Sequence, residues 1–288
     1  MHQWMRLAAI PVLLAGSVWS QSIFGAAYSG PGRPATLYAI SPTTGAAGVI
    51  GPIGAATVSS IAFAPDGVTL YGVGIVGGLT NFELIKINTS TGAGTPIGAT
   101  GLSGPCQDMA FRSDGTLFCY SAGGIFTINT TTGVATLVGS TGGFPDGNGL
   151  AFLGNVLYTA NQNELDTINQ STGAATLAIP LIYSSAFGGG ESRAAGMKFH
   201  PNGTLYAAVT TGLGAAGTSS LGIINISTGA VTRVGPTAAG MDALAISSVT
   251  LAASPVPAPA SWKLVAIGLG LVILIQVLWR RNKVRMVS

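Results

Sequence analysis

Charge is what this chain has least of: 7% of its 288 residues are Asp, Glu, Lys or Arg, against roughly 25% in an ordinary soluble domain. It holds 12 Lys and Arg, 9 Asp and Glu, 2 His and 2 Cys. Half of the basic residues and all four Trp lie in the two end segments, so residues 28–260 keep six Lys and Arg against all nine acids, a net charge of −3. The sequence pI of about 9.0 is therefore a property of the ends. Nucleic acid is excluded as a partner, because binding it takes a basic patch on the folded domain. Zinc chemistry is excluded by spacing, since no His, Cys and Asp fall in a ligating pattern.

Histidine is nearly absent from the interior. His200 precedes Pro201-Asn202-Gly203 at a position held elsewhere by Ala64 and Ser113, which reads as a turn residue. No serine is singled out as its nucleophilic partner. The cysteines are Cys106 and Cys119. Pairing strands about the turn at 113–116 sets Cys119 opposite Ala110 and leaves Cys106 ~13 Å away at the strand rise, beyond the ~7 Å reach of a disulfide, so the two are expected to stay unpaired.

What is abundant is glycine (43), proline (15) and hydrophobic residues (48%). At the N-terminus Arg6, the apolar run Leu7 to Trp19 and the small residues Gly25-Ala26-Ala27 follow the order of a secretory signal. Residues 1–27 are read as that signal, with cleavage after Ala27 or after Ser20. At the other end a Pro/Ala linker, 251–261, precedes the apolar run 262–279, long enough for a transmembrane helix. Trp262 and Trp279 flank that run, and a basic cytoplasmic tail, 280–288, follows it. This arrangement makes membrane lipid a partner and places 28–250 outside the cytoplasm, at the periplasmic face or the cell surface.

Between the ends runs a repeat. Thr-Gly recurs at Thr44-Gly45, Thr91-Gly92, Thr132-Gly133, Thr172-Gly173 and Thr228-Gly229. Ile-Asn turns precede four of them, at Ile87, Ile128, Ile168 and Ile224. A second hairpin type alternates with the first. It reads Ile61 to Gly67 then Leu70-Tyr71, Met109 to Gly115 then Leu117-Phe118, Leu150 to Asn155 then Leu157-Tyr158, and Met197 to Gly203 then Leu205-Tyr206. Four short strands per ~40–45 residues is the period of a propeller blade. The fold class is all-β, a β-propeller over 28–250. An incomplete unit from Thr36 to Gly54 and a lone strand from Met241 to Ser247 complement each other as a fifth blade, closed by N- and C-terminal strands; six blades or an open β-solenoid are the alternatives. Gly- and Ser-rich loops are expected at 72–80, 183–195 and 210–220.

Four of the five N-x-Ser/Thr sequences, at Asn88, Asn129, Asn169 and Asn225, fall in the Asn-x-Ser/Thr-Thr-Gly turn and are explained by turn chemistry. Asp66 and Asp114 are turn residues by the same alignment. Asp108 and Asp242 precede first strands, where carboxylates lining a central channel could hold Ca²⁺; the alternative is that they accept backbone N–H bonds.

The C-terminal run Val256-Pro257-Ala258-Pro259, the apolar segment and Arg280-Arg281 resemble the PEP-CTERM sorting signal of Gram-negative bacteria, with Ala258 where that family has Glu. The resemblance implies an exosortase-like sorting protease as a partner, processing of the tail and display in the extracellular matrix. The repeats resemble bacterial extracytoplasmic propellers with NHL-like or WD40-like blades, without the Trp-Asp signature. Together these features point to a non-enzymatic propeller acting in binding or matrix association, with a polysaccharide or protein as ligand. A metal-dependent hydrolase or lactonase and a structural envelope component are the alternatives.

Overall fold

The computed structural model describes residues 23–28, 34–77, 81–142, 149–188, 191–212 and 218–248. Five antiparallel sheets are arranged as blades. Blade 1 holds β4 (Ala55–Phe63), β5 (Leu70–Val76), β6 (Phe82–Ile87) and β7 (Gly94–Ala99). Blade 2 holds β8 (Asp108–Phe111), β9 (Leu117–Ser121), β10 (Gly124–Ile128) and β11 (Ala135–Ser140). Blade 3 follows with β12 (Gly149–Leu153), β13 (Val156–Ala160), β14 (Glu164–Ile168) and β15 (Ala175–Pro180). In blade 4, β17 (Ser192–Phe199), β18 (Leu205–Thr211), β19 (Thr218–Ile224) and β20 (Ala230–Pro236) are extended by the short β16 (Ile182–Tyr183), which lies parallel to β20.

Blade 5 closes the ring. Its order is β21 (Met241–Ile246), β1 (Ile23–Ala27), β2 (Thr36–Ile40), β3 (Ala47–Pro52). The expected complementation of N- and C-terminal pieces is therefore present. One of its strands, β1, comes from a stretch that resembles the end of a leader. All five residues of β1 are buried, and it pairs with β21 on one side and β2 on the other. Ile23-Phe24 takes the place that Leu70-Tyr71, Leu117-Phe118, Leu157-Tyr158 and Leu205-Tyr206 take in the other blades, since each leading residue faces the Ile that ends the third strand.

The junctions between blades repeat as well. An aromatic ring on each second strand meets a Phe on the next blade's innermost strand: Phe24 with Phe63 at 5.4 Å, Tyr71 with Phe111 at 5.5 Å, Phe118 with Phe152 at 5.6 Å and Tyr158 with Phe199 at 5.7 Å. At the remaining junction Tyr206 shares an apolar cluster with Ile246. Each edge-on or tilted ring pair contributes roughly 0.5–1.5 kcal/mol beyond its area. The Thr-Gly signature has its cause in the outer strands. Gly92, at φ 81°, packs on the backbone of Gly51 so closely that a Cβ there would lie 2.5 Å from the Gly51 oxygen, and a positive φ is strained for any residue with a side chain.

The expectation of a transmembrane helix is corrected. Among the described residues no helix is long and apolar enough to cross a membrane, and the helical content is the three-residue turn Ser185–Phe187. The apolar residues are spent in strands of two to nine residues whose backbone groups pair in ladders and whose side chains fill five clusters between sheets. The run 262–279 lies outside the described residues, as do 1–22 and the sorting-signal residues Val256, Pro257, Pro259, Arg280 and Arg281. Membrane lipid is accordingly withdrawn as a partner, and membrane embedding as a location.

Two smaller differences follow from register. Cys106 and Cys119 form a disulfide with Cα atoms 5.8 Å apart. Cys119 faces Met109, one residue from the expected partner, and the Gln107 N–H donates to the Tyr120 carbonyl, which carries the chain before β8 back alongside β9. The expected loops 72–80, 183–195 and 210–220 are shorter than their composition implies, because 72–76, 192–195, 210–211 and 218–220 belong to strands.

Candidate functional site

Every blade begins at one face, here the upper, and returns there between its second and third strands. The lower face carries the hairpin turns. In four of these the Asn Oδ1 of Asn88, Asn129, Asn169 or Asn225 accepts the N–H groups two and three residues on, at 2.9–3.1 Å. Ser41 Oγ does the same for Thr44 in blade 5, at 3.2 Å. In the other hairpins Asp66 binds Val68, Thr69 and the Thr69 hydroxyl, while Asp114 binds Thr116 and Arg112. The Arg112 guanidinium holds the Asp114 carboxyl well below the usual carboxylate range. His200 is one more turn residue, its Nδ1 accepting from the Asn202 N–H at 3.2 Å.

At the axis, Asp108 is fully buried at the start of β8. The Lys198 ammonium lies 2.7 and 2.8 Å from its two oxygens, and the amides of Met109, Leu150 and Met197 donate at 2.8, 2.7 and 3.0 Å. The Lys198 ammonium also donates to the carbonyls of Leu150 and Met197. One carboxylate from blade 2 thus ties together the innermost strands of blades 3 and 4. Burial pushes Asp108 up and Lys198 down from their ordinary values, and each is drawn back toward its charged form by the other.

Strand register explains why these two residues stand out. Lys198 occupies the position of Ala62, Ala110, Ala151 and Ala245, and Asp108 that of Ser60, Gly149, Gly196 and Ala243. Asp242 is not the equivalent of Asp108. It is the extra residue of a β-bulge in β21, matching the bulged Ser59 of β4 and Ala195 of β17. Bulges re-aim side chains, and Asp242 is partly buried at the upper mouth of the axis. Burial pushes its carboxyl up, the Arg193 guanidinium pulls it down, and the charge of Asp108 adds to the upward push.

The pair expected to hold Ca²⁺ therefore does not fit that ion. Calcium takes six to eight oxygen ligands, whereas the oxygens of Asp108 are occupied by an internal ammonium and three amides. Asp108, Lys198, Asp242 and Arg193 also sum to zero charge. Among the described residues no three His, Cys, Asp or Glu side chains are grouped to hold a metal. Lys198 went unnoticed at the level of sequence, although a lone Lys in a column of Ala was the available signal.

Elsewhere on the upper face, a recess of about 690 Å³ lies between blades 3 and 4. Gln162 and Asn163, from the β13–β14 loop, form one wall; Tyr183, Ser185, Glu191 and Ser192, from the connection between the blades, form the other. The Tyr183 ring is held edge-on to Phe187 at 6.1 Å. The side chains of Gln162, Asn163, Ser185, Glu191 and Ser192 have no hydrogen-bond partner among the described residues. In the lower-face depression of about 370 Å³ the Asn88 Oδ1 is committed to its own turn, while the side chains of Thr89, Ser90 and Thr95 in the same wall have no hydrogen-bond partner among the described residues.

No family model matches the chain, and no curated protein does. The resemblance to PEP-CTERM proteins and the exosortase partner it implied thus gain no support and are set aside, as is any assignment to an NHL or WD40 subtype. Solved structures match the fold. A chain of a nidogen/laminin complex aligns over 80% of this chain and 99% of its own length at 12% identity, with a TM-score of 0.51. TolB from Acinetobacter baumannii aligns over 78% of this chain and 55% of its own length at 14% identity, with a TM-score of 0.47. The chain is a five-bladed β-propeller.

Proposed function

We propose that this propeller is a binding module that works outside the cytoplasm, takes a hydrogen-bonding ligand on its upper face and performs no chemistry on it. The observation that carries this reading is the recess between blades 3 and 4, where five polar side chains converge without internal partners. In the lower-face turns the Asn and Asp oxygens that shape each turn are committed to that turn's own N–H groups. Amides, hydroxyls and a single carboxylate beside an aromatic ring suit a neutral polyhydroxylated chain such as a hexose oligomer. The wall has no cation to recognise an anion and little aliphatic surface to recognise a lipid. The Cys106–Cys119 disulfide supports an oxidising compartment. A propeller of like fold occurs in a nidogen/laminin complex, a setting in keeping with binding, although the likeness assigns no ligand.

The test is titration of the isotope-labelled full chain with neutral hexose hexamers, followed by amide chemical shifts. Saturable shifts confined to residues 161–164 and 182–192, abolished by Gln162→Ala with Glu191→Ala at unchanged thermal midpoint, are expected. Shifts confined to the lower face would overturn the site. Turnover of a lactone that is lost in Asp242→Asn would overturn the non-enzymatic reading.

A further inference from the structure

The small residues Gly25-Ala26-Ala27 have two uses that cannot both operate. As the end of a leader they would be cut away after Ala27, and with them would go Ile23 and Phe24. The structure gives each of these residues a task in the folded ring. Ile23 is fully buried against Ile40 and Ile246, its partners on the two neighbouring strands. Phe24 is the blade 5 member of the aromatic series between blades. A methyl group on Gly25 would collide with the Met241 sulfur and with the Ile40 terminal methyl, 2.7 Å away. Ala26 and Ala27 are closed off from solvent. The next residue is fixed too: the Tyr28 N–H donates to the Gly240 carbonyl at 3.0 Å, and a Cβ on Gly240 would lie 2.7 Å from the Tyr28 oxygen. The small side chains are thus accounted for by packing at the ring closure.

We infer that the leader is removed before Ile23, by hydrolysis of the Ser20–Gln21 bond, so that β1 stays in the mature protein as the strand that closes the ring. A leader-removing protease supplies the catalysis and water the co-reactant. The hydroxyl goes to the Ser20 carbonyl carbon, the proton to the Gln21 nitrogen, and residues 1–20 depart with a new carboxylate. Ser20 provides the small residue that such a bond requires. Cutting after Ala27 instead would leave β21 and β2 facing each other across an empty strand position, with two rows of unpaired backbone groups. This inference rests on the reading that the propeller works outside the cytoplasm.

The experiment is expression of the full chain with its own leader in a Gram-negative host, fractionation, and mass spectrometry of the mature N-terminus. An N-terminus at Gln21 is expected, and Ser20→Leu is expected to accumulate the unprocessed chain. A mature N-terminus at Tyr28, or unimpaired processing of Ser20→Leu, would overturn the inference while leaving the compartment reading intact. A chain found only in the cytoplasm with Met1 retained would overturn both. As a readout of folding, a chain begun at Gln21 should unfold cooperatively and one begun at Tyr28 should not. Equal thermal midpoints for the two would overturn the role given to β1.

Discussion

The lower and upper faces join the same antiparallel strands with different chemistry. Below, most turns are shaped locally: an Asn, Asp or Ser oxygen accepts N–H groups of its own turn, and a glycine supplies the positive φ. The result is five similar units, joined across blades on this face by Arg112 with Gln170 and by Ser247 with the Gly67 carbonyl. Above, the connections differ from blade to blade: beside local turns such as that of Asn161 with the Asn163 and Glu164 N–H groups, some polar side chains act over long range, as Asp108 does with Lys198 90 residues away, and others have no internal partner, as in the recess. Self-satisfied turns can be repeated without consequence, whereas polar groups that depend on other blades, or on a ligand, confer individuality. Binding is accordingly expected where the repeat breaks.

The most severe break in this comparison comes from removing the long-range tie. Lys198→Ala leaves Asp108 buried without its counter-ion, and a loss of about 3–5 kcal/mol is expected. The double change Lys198→Ala with Asp108→Ser copies Ala62 and Ser60 of blade 1 and should recover most of that loss, since a buried ion pair and an apolar replacement are often close in stability. Denaturant unfolding of the three proteins decides the matter. A silent single change would mean that the axis is wetter than its geometry implies.

The disulfide is the second long-range tie of the upper face. Its 13-residue separation corresponds to a loop-closure contribution of about 3 kcal/mol. Replacing Cys106 and Cys119 together by Ala should lower the unfolding free energy by that amount, with a lower midpoint, and leave the lower-face turns unaltered in amide exchange. An unchanged midpoint would show that the connection before β8 is held by its packing alone.

A smaller effect is expected below. Asn129→Ala deprives Thr131 and Thr132 of their acceptor at 2.9 and 3.1 Å and should cost about 1 kcal/mol, whereas Asn129→Asp retains an acceptor and should cost less. By contrast, Gln162→Ala in the recess has no internal bond to lose, and its effect on stability should stay within about 0.5 kcal/mol. Equal costs at the two sites would remove the distinction between the faces.

How much of this was legible in the sequence follows from the same distinction. The lower-face turns were readable because their chemistry is local: Asn, Thr and Gly at fixed offsets determine the turn wherever it sits. Blade number and closure followed from counting them. What escaped depended on other parts of the chain. Ile23-Phe24-Gly25-Ala26-Ala27 is too short and too bland to be told from a leader until Met241 and Ile40 are seen against it. The disulfide escaped because the chain before β8 turns back alongside β9, which an extended strand drawn from the turn at 113–116 does not show. Asp108 and Asp242 looked equivalent because a single bulge displaces one against the other, and no local pattern announces the bulge. The recess is defined by side chains without partners, a property that exists only once all other partners are assigned.

The mildest change tests the mouth of the axis. Burial raises the Asp242 carboxyl above its ordinary value of 3.8. In the unfolded chain it is free of that burial, so between 3.8 and its folded value the native state holds the proton more tightly. Its contribution to stability is therefore full below the unfolded value and is lost as pH rises through the folded one. Asp242→Asn, which cannot ionise, should match the parent at low pH and exceed it at neutral pH, with a flatter stability profile between. Arg193 opposes this, because its attraction for the ionised form disappears in the variant. If Asp242→Asn proved less stable at neutral pH, the Arg193 attraction would outweigh the burial cost, and the upper mouth would have to be counted as a further internal tie.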